Sequence, residues 1–230
     1  MITSVLFDLD GTLIDSWRLY MEAYTRTFEE CYGRPFDRSE TLELLGRRPR
    51  SETWLLRNLL GAEAQLDAFE LFLSQYRSLH QSHFDGPYDG ILDMLRELRT
   101  HRYVLGIVTG KSREAWAITE TQAGLVPFDA VVTESDIATP KPDPEGLLKA
   151  VSLLGREIGE TLYIGDSLLD AEAARAIGMT FWAAVWPKGP EEKASFAASV
   201  LAMGAARLLD SPSEIVQALR LGSADAVTNR

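Results

Sequence analysis

Cysteine is nearly missing from this 230-residue chain. Its one example, Cys31, excludes an intrachain disulfide and leaves no set of thiolates for a zinc cluster, which fits a reducing compartment. Cys31 itself is expected to be a small apolar filler. Histidine is scarce too: His80, His83 and His101 share no metal-like spacing with one another or with carboxylates, so surface or helix-end positions are expected. No long apolar run exists either. The longest, near "MTFWAAVW", falls far short of the ~18 residues that suggest a membrane span, and the N-terminus lacks the basic and apolar regions of a secretory signal. These absences together read as a soluble, cytoplasmic protein. Basic charge is also in deficit. With 34 acidic residues against 23 basic ones the net charge is −11, which argues against nucleic acid or an anionic membrane as partner and favours a bound cation.

What is present is 46% hydrophobic, enough to bury a full core. Short β-branched or aromatic runs recur: "SVLFDL", "YVLGIVTG", "AVVTES", "TLYIGD", "MTFWAAVW" and the weaker "AARLLD". Amphipathic stretches follow most of them, such as "DGILDMLRELRTH", with Ile91, Leu92, Leu95 and Leu98 on one face, and "DAEAARAIGM", closing at Gly178. Strands alternating with helices imply a parallel sheet and an α/β fold.

One interval breaks this rhythm. From Ser16 to about Phe84 nothing reads as a buried strand, and helical periodicity runs through three or more helices separated by breakers at Gly33, Pro35, Gly46 and Pro49. This is a helical insertion, and "DGPYDG" (Asp85 to Gly90) is the return linker. The expected division is a core of residues 1–15 and 86–222, an insertion over 16–85 and a loose tail over 223–230. Trp17, Trp54 and Trp116 are assigned to helix faces in the core.

The first run ends in "FDLDGT", two like charges one residue apart, which implies a group nearby that wants both. Ligands of open α/β sheets bind beyond the carboxyl ends of the strands. Those ends carry Asp8 and Asp10, Thr109 and Gly110, then Gly165 and Asp166 with Asp170 at the following helix start, while Lys141 stands between prolines in "TPKPDPEG". Asp8, Asp10 and Asp166 offer oxygens to a hard cation, and Mg²⁺ favours a few carboxylates plus substrate phosphate. Four carboxylates against one lysine and one divalent ion still repel a phosphate dianion, so one carboxyl must hold a proton or turn outward.

That requirement divides the roles. Asp8 is the nucleophile on phosphorus, forming an aspartyl-phosphate, and Asp10 protonates the departing group and later takes a proton from water. Thr109 and the Gly110 N–H hold phosphoryl oxygens, and Lys141 neutralises charge. Asp166 completes the metal site, with Asp170 orienting it or Lys141 from behind. Arg47, Arg48 and Arg50 in "GRRPRSE" cluster in the insertion, and Arg47 and Arg50 are candidate contacts to an anionic substrate.

These residues resemble the haloacid dehalogenase superfamily. "FDLDGTLIDS" is similar to its first motif, "VTGK" to its second, Lys141 in "TPKPDPEG" to its third and "IGDSLLDAEAARAIGM" to its fourth. The resemblance implies a Rossmann-like core with a helical cap inserted between the first two motifs. It also implies Mg²⁺ held by Asp8, the Asp10 backbone carbonyl and Asp166. The expected activity is hydrolysis of a small phosphorylated metabolite through an aspartyl-phosphate. Asp10 is present, whereas the dehalogenases and phosphonatases of the superfamily lack it. Its sugar phosphomutases often carry Glu-Asp where Gly165-Asp166 stands. Phosphoglycolate phosphatase-like proteins are nearest in general appearance. A phosphomutase is the alternative enzyme, and a receiver-like phosphate-binding module the alternative of another class. The cap is expected to swing about "LIDS" and "DGPYDG".

Overall fold

The computed structural model describes residues 1–46 and 51–228, with side chains through Arg220. In chain order the elements are β1 (Ser4–Phe7), β2 (Ile14–Asp15), α1 (Trp17–Tyr32), α2 (Arg38–Leu45), α3 (Glu52–His83), β3 (Gly86–Pro87), α4 (Ile91–Thr100), β4 (Val104–Val108) and α5 (Arg113–Ala123). There follow β5 (Ala130–Val132), α6 (Glu145–Leu154), β6 (Thr161–Gly165), α7 (Leu168–Ala176), β7 (Thr180–Ala184), α8 (Pro190–Ala202), β8 (Arg207–Leu209) and α9 (Ser213–Thr228).

Six strands form one parallel sheet in the order β5-β4-β1-β6-β7-β8. Each expected apolar run supplies one of them. Because successive side chains point to opposite faces, Val5 and Phe7 join one core cluster with α4 and α9, while Leu6 joins another with α6, α7 and α8. Both faces are therefore buried, and the strands read as nearly continuous hydrophobic runs. From β1 the chain winds first through β4 to β5 on one side, then returns to build β6, β7 and β8 on the other. That reversal places the carboxyl end of β1 at a topological switch point, the crevice where open α/β sheets take ligands.

The insertion builds its own apolar cluster from α1, α2 and α3. Leu19, Tyr24, Phe28, Leu56, Phe72 and Tyr76 are among its buried members, and Ala115 of α5 joins them from the sheet domain. Helix α3 is interrupted at Gly61, where φ is 85° and ψ 165°. The two passages between sheet and insertion lie side by side: β2 and β3 pair antiparallel, and Arg18 bridges to Asp85 at 2.9 Å.

Three expectations differ in full and one in part. His80 stands in the last turn of α3, a helix-end position as expected, yet is fully buried, because it continues the Phe72 and Tyr76 stripe at four-residue spacing and packs edge-on against Tyr76. Trp17, the first residue of α1, is 48% exposed, since the buried stripe of that helix begins at Leu19. Cys31 is exposed near the end of the same helix rather than filling a core. Helix α9 runs to Thr228 where a loose tail from residue 223 is expected, and alanines at 224 and 226 suit its continuation.

Candidate active site

After Phe7 the chain leaves β1 through a turn that bonds to itself. The Asp8 N–H donates to Ile164 O at 2.8 Å, and Leu9 O accepts from Leu13 N and Ile14 N at 2.8 and 3.1 Å. Gly11 sits at φ 83°, a conformation that costs glycine little. A Cβ there would lie 2.7 Å from Oδ2 of Asp166. The glycine of "FDLDGT" thus lets the fourth motif's carboxylate press against the first motif's backbone. Thr12 Oγ1 then donates to Asp166 Oδ1 at 3.1 Å.

Lys141 joins two carboxylates. Its ammonium donates to Asp8 Oδ1 at 2.8 Å, to Asp170 Oδ1 at 2.7 Å and to the Tyr163 hydroxyl at 3.2 Å, all buried. Asp170 has more donors than Asp8. Oδ1 also accepts from the Tyr163 hydroxyl at 2.6 Å, and Oδ2 accepts from Ser167 N and Oγ at 3.0 and 2.6 Å in the capping box that opens α7. Burial alone would raise the Asp170 carboxyl, but Lys141 and these donors hold it below the usual range. Asp8 goes the other way: burial pushes it well above the usual range, the Asp170 and Asp166 charges add to this, and Lys141 opposes. Burial also raises Asp166, to about 6, with Asp170 adding and Lys188 opposing.

Asp8, Asp166 and Asp170 each present an oxygen within 4.8 Å of the others. Such hard oxygen donors suit a divalent cation of the Mg²⁺ type, and burial, which raises the Asp8 and Asp166 carboxyls, makes a further positive charge beside them favourable. Asp170 is already taken by Lys141, Tyr163 and Ser167.

The Asp10 side chain turns elsewhere. Its Oδ1 accepts from Ser16 Oγ at 2.6 Å and pairs with Lys111 Nζ at 3.1 Å. Thr109 is buried at the end of β4, and its Oγ1 accepts from the Lys111 N–H at 3.1 Å. Gly110 stands between them. Arg47, Arg48 and Arg50 lie outside the described residues.

Sequence reasoning missed two lysines. Lys111 is the last residue of the quoted "VTGK", and Lys188, in the loop after β7, pairs with Asp166 Oδ2 at 3.2 Å. Attention to the residues after each strand, applied to β7 as to the others, would have found Lys188. Together they change the charge balance. Lys111 and Lys188 add positive charge beside Asp10 and Asp166, so with a divalent ion the repulsion of a phosphate dianion is smaller than Lys141 alone would leave it.

A sequence model of the haloacid dehalogenase-like hydrolases matches residues 5–184. The chain belongs to that family. This hydrolase is 34% identical over 189 residues to the pyrophosphatase PpaX of Bacillus velezensis, covering 80% of this chain and 84% of that one. It is 35% identical over 198 residues to PpaX of Listeria monocytogenes, covering 85% and 89%. Among solved structures it resembles CbbY of Rhodobacter sphaeroides in complex with phosphate, with a TM-score of 0.76 and 25% identity over 94% of this chain and 96% of that one. Among its described residues no helix is long and apolar enough to cross a membrane.

Proposed function

We propose that this hydrolase is an Mg²⁺-dependent phosphatase that cleaves a small phosphorylated metabolite through an aspartyl-phosphate on Asp8. The observation that carries the reading is the position of Asp8: at the switch point of the sheet, 2.8 Å from Lys141 and within one oxygen cluster with Asp166. Mg²⁺ held by Asp8, Asp166 and the Asp10 carbonyl would supply positive charge against the phosphoryl oxygens and keep both carboxylates ionised.

The protein's own groups do the rest. An Asp8 carboxylate oxygen attacks phosphorus, and the bond to the leaving oxygen breaks as Asp10 gives that oxygen a proton. Asp10 then takes a proton from the water that cleaves the aspartyl-phosphate. Lys141 balances the charge, held in place by Asp170 and Tyr163, while Thr109 and the Gly110 N–H receive phosphoryl oxygens. The insertion acts as a cap, for which the paired passages β2 and β3 serve as hinge.

Hydrolysis is favoured over a mutase by Gly165. A Cβ there would lie 2.5 Å from Cγ of Asp170, so a glutamate at this position would displace the residue that holds Lys141. Pyrophosphate is the first substrate to test, because the PpaX relatives carry that name, with phosphoglycolate, sugar phosphates and nucleotides beside it. The experiment is orthophosphate release from this panel, with Mg²⁺ and after chelation, by the wild type and by Asp8→Asn. Loss of ~10³ or more in Asp8→Asn is expected. Retained turnover would remove Asp8 as the attacker.

A further inference from the structure

Lys111 is 1% exposed, and the reaction scheme gives it no part. An ammonium has three N–H donors, and three partners surround this one: the Tyr20 hydroxyl at 2.7 Å, the Tyr76 hydroxyl at 2.9 Å and Asp10 Oδ1 at 3.1 Å. The tyrosines come from α1 and α3 of the insertion, while Asp10 belongs to the turn after β1. Their rings also lie beneath the cation, with centroids 4.3 and 4.9 Å away.

A buried lysine between two domains can be a simple tie. Glu52 is the acid that such a tie would use, yet its carboxylate is occupied by the Tyr20 hydroxyl and, at 3.0 Å, by the Ser112 N–H. The direct ion pair of Lys111 is with Asp10, and Glu52 attracts the ammonium only from farther off. The contacts to Asp10 are also one-sided: Ser16 and Lys111 both meet Oδ1, and Oδ2 takes neither. A hydrogen bond from Ser16 and the ion pair with Lys111 both hold Oδ1 and leave the other oxygen to exchange a proton.

We infer that Lys111 is a positioning residue for Asp10: aimed by Tyr20 and Tyr76, its ammonium fixes Oδ1 and keeps Oδ2 as the oxygen that hands a proton to the leaving group. The inference rests on the proton-transfer role proposed for Asp10. In that step the P–O bond to the leaving group breaks, the leaving oxygen gains the Asp10 proton, and the new carboxylate charge forms beside Lys111. The effect is greatest when the leaving group most needs the proton.

The test compares kcat/KM for p-nitrophenyl phosphate, whose leaving group needs little protonation, with phenyl phosphate, which needs more, in the full chain with Mg²⁺. Variants are Asp10→Asn, Lys111→Met and the double variant Tyr20→Phe/Tyr76→Phe, which keeps the rings and serves if Lys111→Met does not fold. Asp10→Asn should lose at least about tenfold more on phenyl phosphate than on the nitro compound. Lys111→Met and the tyrosine pair should lose in the same direction, and more modestly. Equal losses on both substrates in Lys111→Met and in the tyrosine pair, with selectivity kept in Asp10→Asn, would overturn the inference alone. Equal losses in Asp10→Asn itself would remove the proton-donor reading and the inference with it.

Discussion

Lys141 Nζ donates to Asp8 Oδ1 at 2.8 Å, and the pair is buried. The ammonium is shared with Asp170, which has further donors of its own, so Asp8 is the less satisfied acid of the two. Removing Lys141 leaves both carboxylates without their common cation. Lys141→Met should lower turnover by ~10³ or more and cost about 3–5 kcal/mol of stability in urea denaturation, the scale for breaking a buried charge network. Combining it with Asp8→Asn should return part of that stability. A Lys141→Met enzyme as stable as wild type would mean that the ammonium is not holding the site together.

Asp166 gives a prediction with opposite signs for stability and activity. Its carboxyl is raised by burial from the usual aspartate range to about 6. Between about 4 and 6 the folded chain therefore binds more protons than the unfolded one, and stability falls as pH rises through that window. Above it the penalty persists, on the order of 1–3 kcal/mol. Asp166→Asn should melt higher than wild type at pH 7.5 in a chelator, by roughly 2–4 °C per kcal/mol, yet be inactive. Mg²⁺ should raise the melting temperature of the wild type and leave that of Asp166→Asn unchanged.

Gly11 and Gly33 separate backbone strain from contact. Both have positive φ, 83° and 65°, but a Cβ at Gly33 would meet nothing within 4 Å, whereas at Gly11 it would strike Asp166. Gly33→Ala should cost about 1 kcal/mol with normal kcat. Gly11→Ala should cost more and lose activity and Mg²⁺ affinity together, as read by kinetics and calorimetry. Equal behaviour of the two would show that Asp166 yields freely.

The seam between insertion and sheet domain carries a pH dependence of its own. Glu134, just past β5, accepts from Thr53 N and Oγ1 at 3.1 Å each, and burial raises its carboxyl to about 7, with Glu52 adding. The docked form then holds more protons than the undocked one between about 4.5 and 7, so docking weakens as pH rises across that range and levels off above it. Hydrogen exchange at the start of α3, corrected for intrinsic rates, should be slower at pH 5.5 than at pH 8. Glu134→Gln should shrink the difference; an unchanged difference would locate the titrating group elsewhere.

The six strands were legible because parallel strands buried on both faces read as uninterrupted apolar runs, and because Asp8, Thr109 and Asp166 stand directly at their ends. The helical insertion was legible from the same contrast. Lys111 was not: a lysine after a strand reads as solvated, and its burial depends on Tyr20 and Tyr76, which only the packing of α1 on α3 brings together. The burial of His80 and the exposure of Trp17 escaped for a related reason. Helical periodicity defines a stripe, but which end residues belong to it depends on what the helix packs against.

In the proposed reaction an oxygen of Asp8 attacks phosphorus, so the phosphoryl group passes through this side chain. Rapid acid quench during turnover of a phosphate substrate, followed by borohydride reduction and peptide mass spectrometry, tests it directly, because reduction converts an aspartyl-phosphate to homoserine. Homoserine is expected at position 8 in the wild type and none in Asp8→Asn. An enzyme that turns over substrate while position 8 remains aspartate, or that is labelled at another residue, would contradict that route.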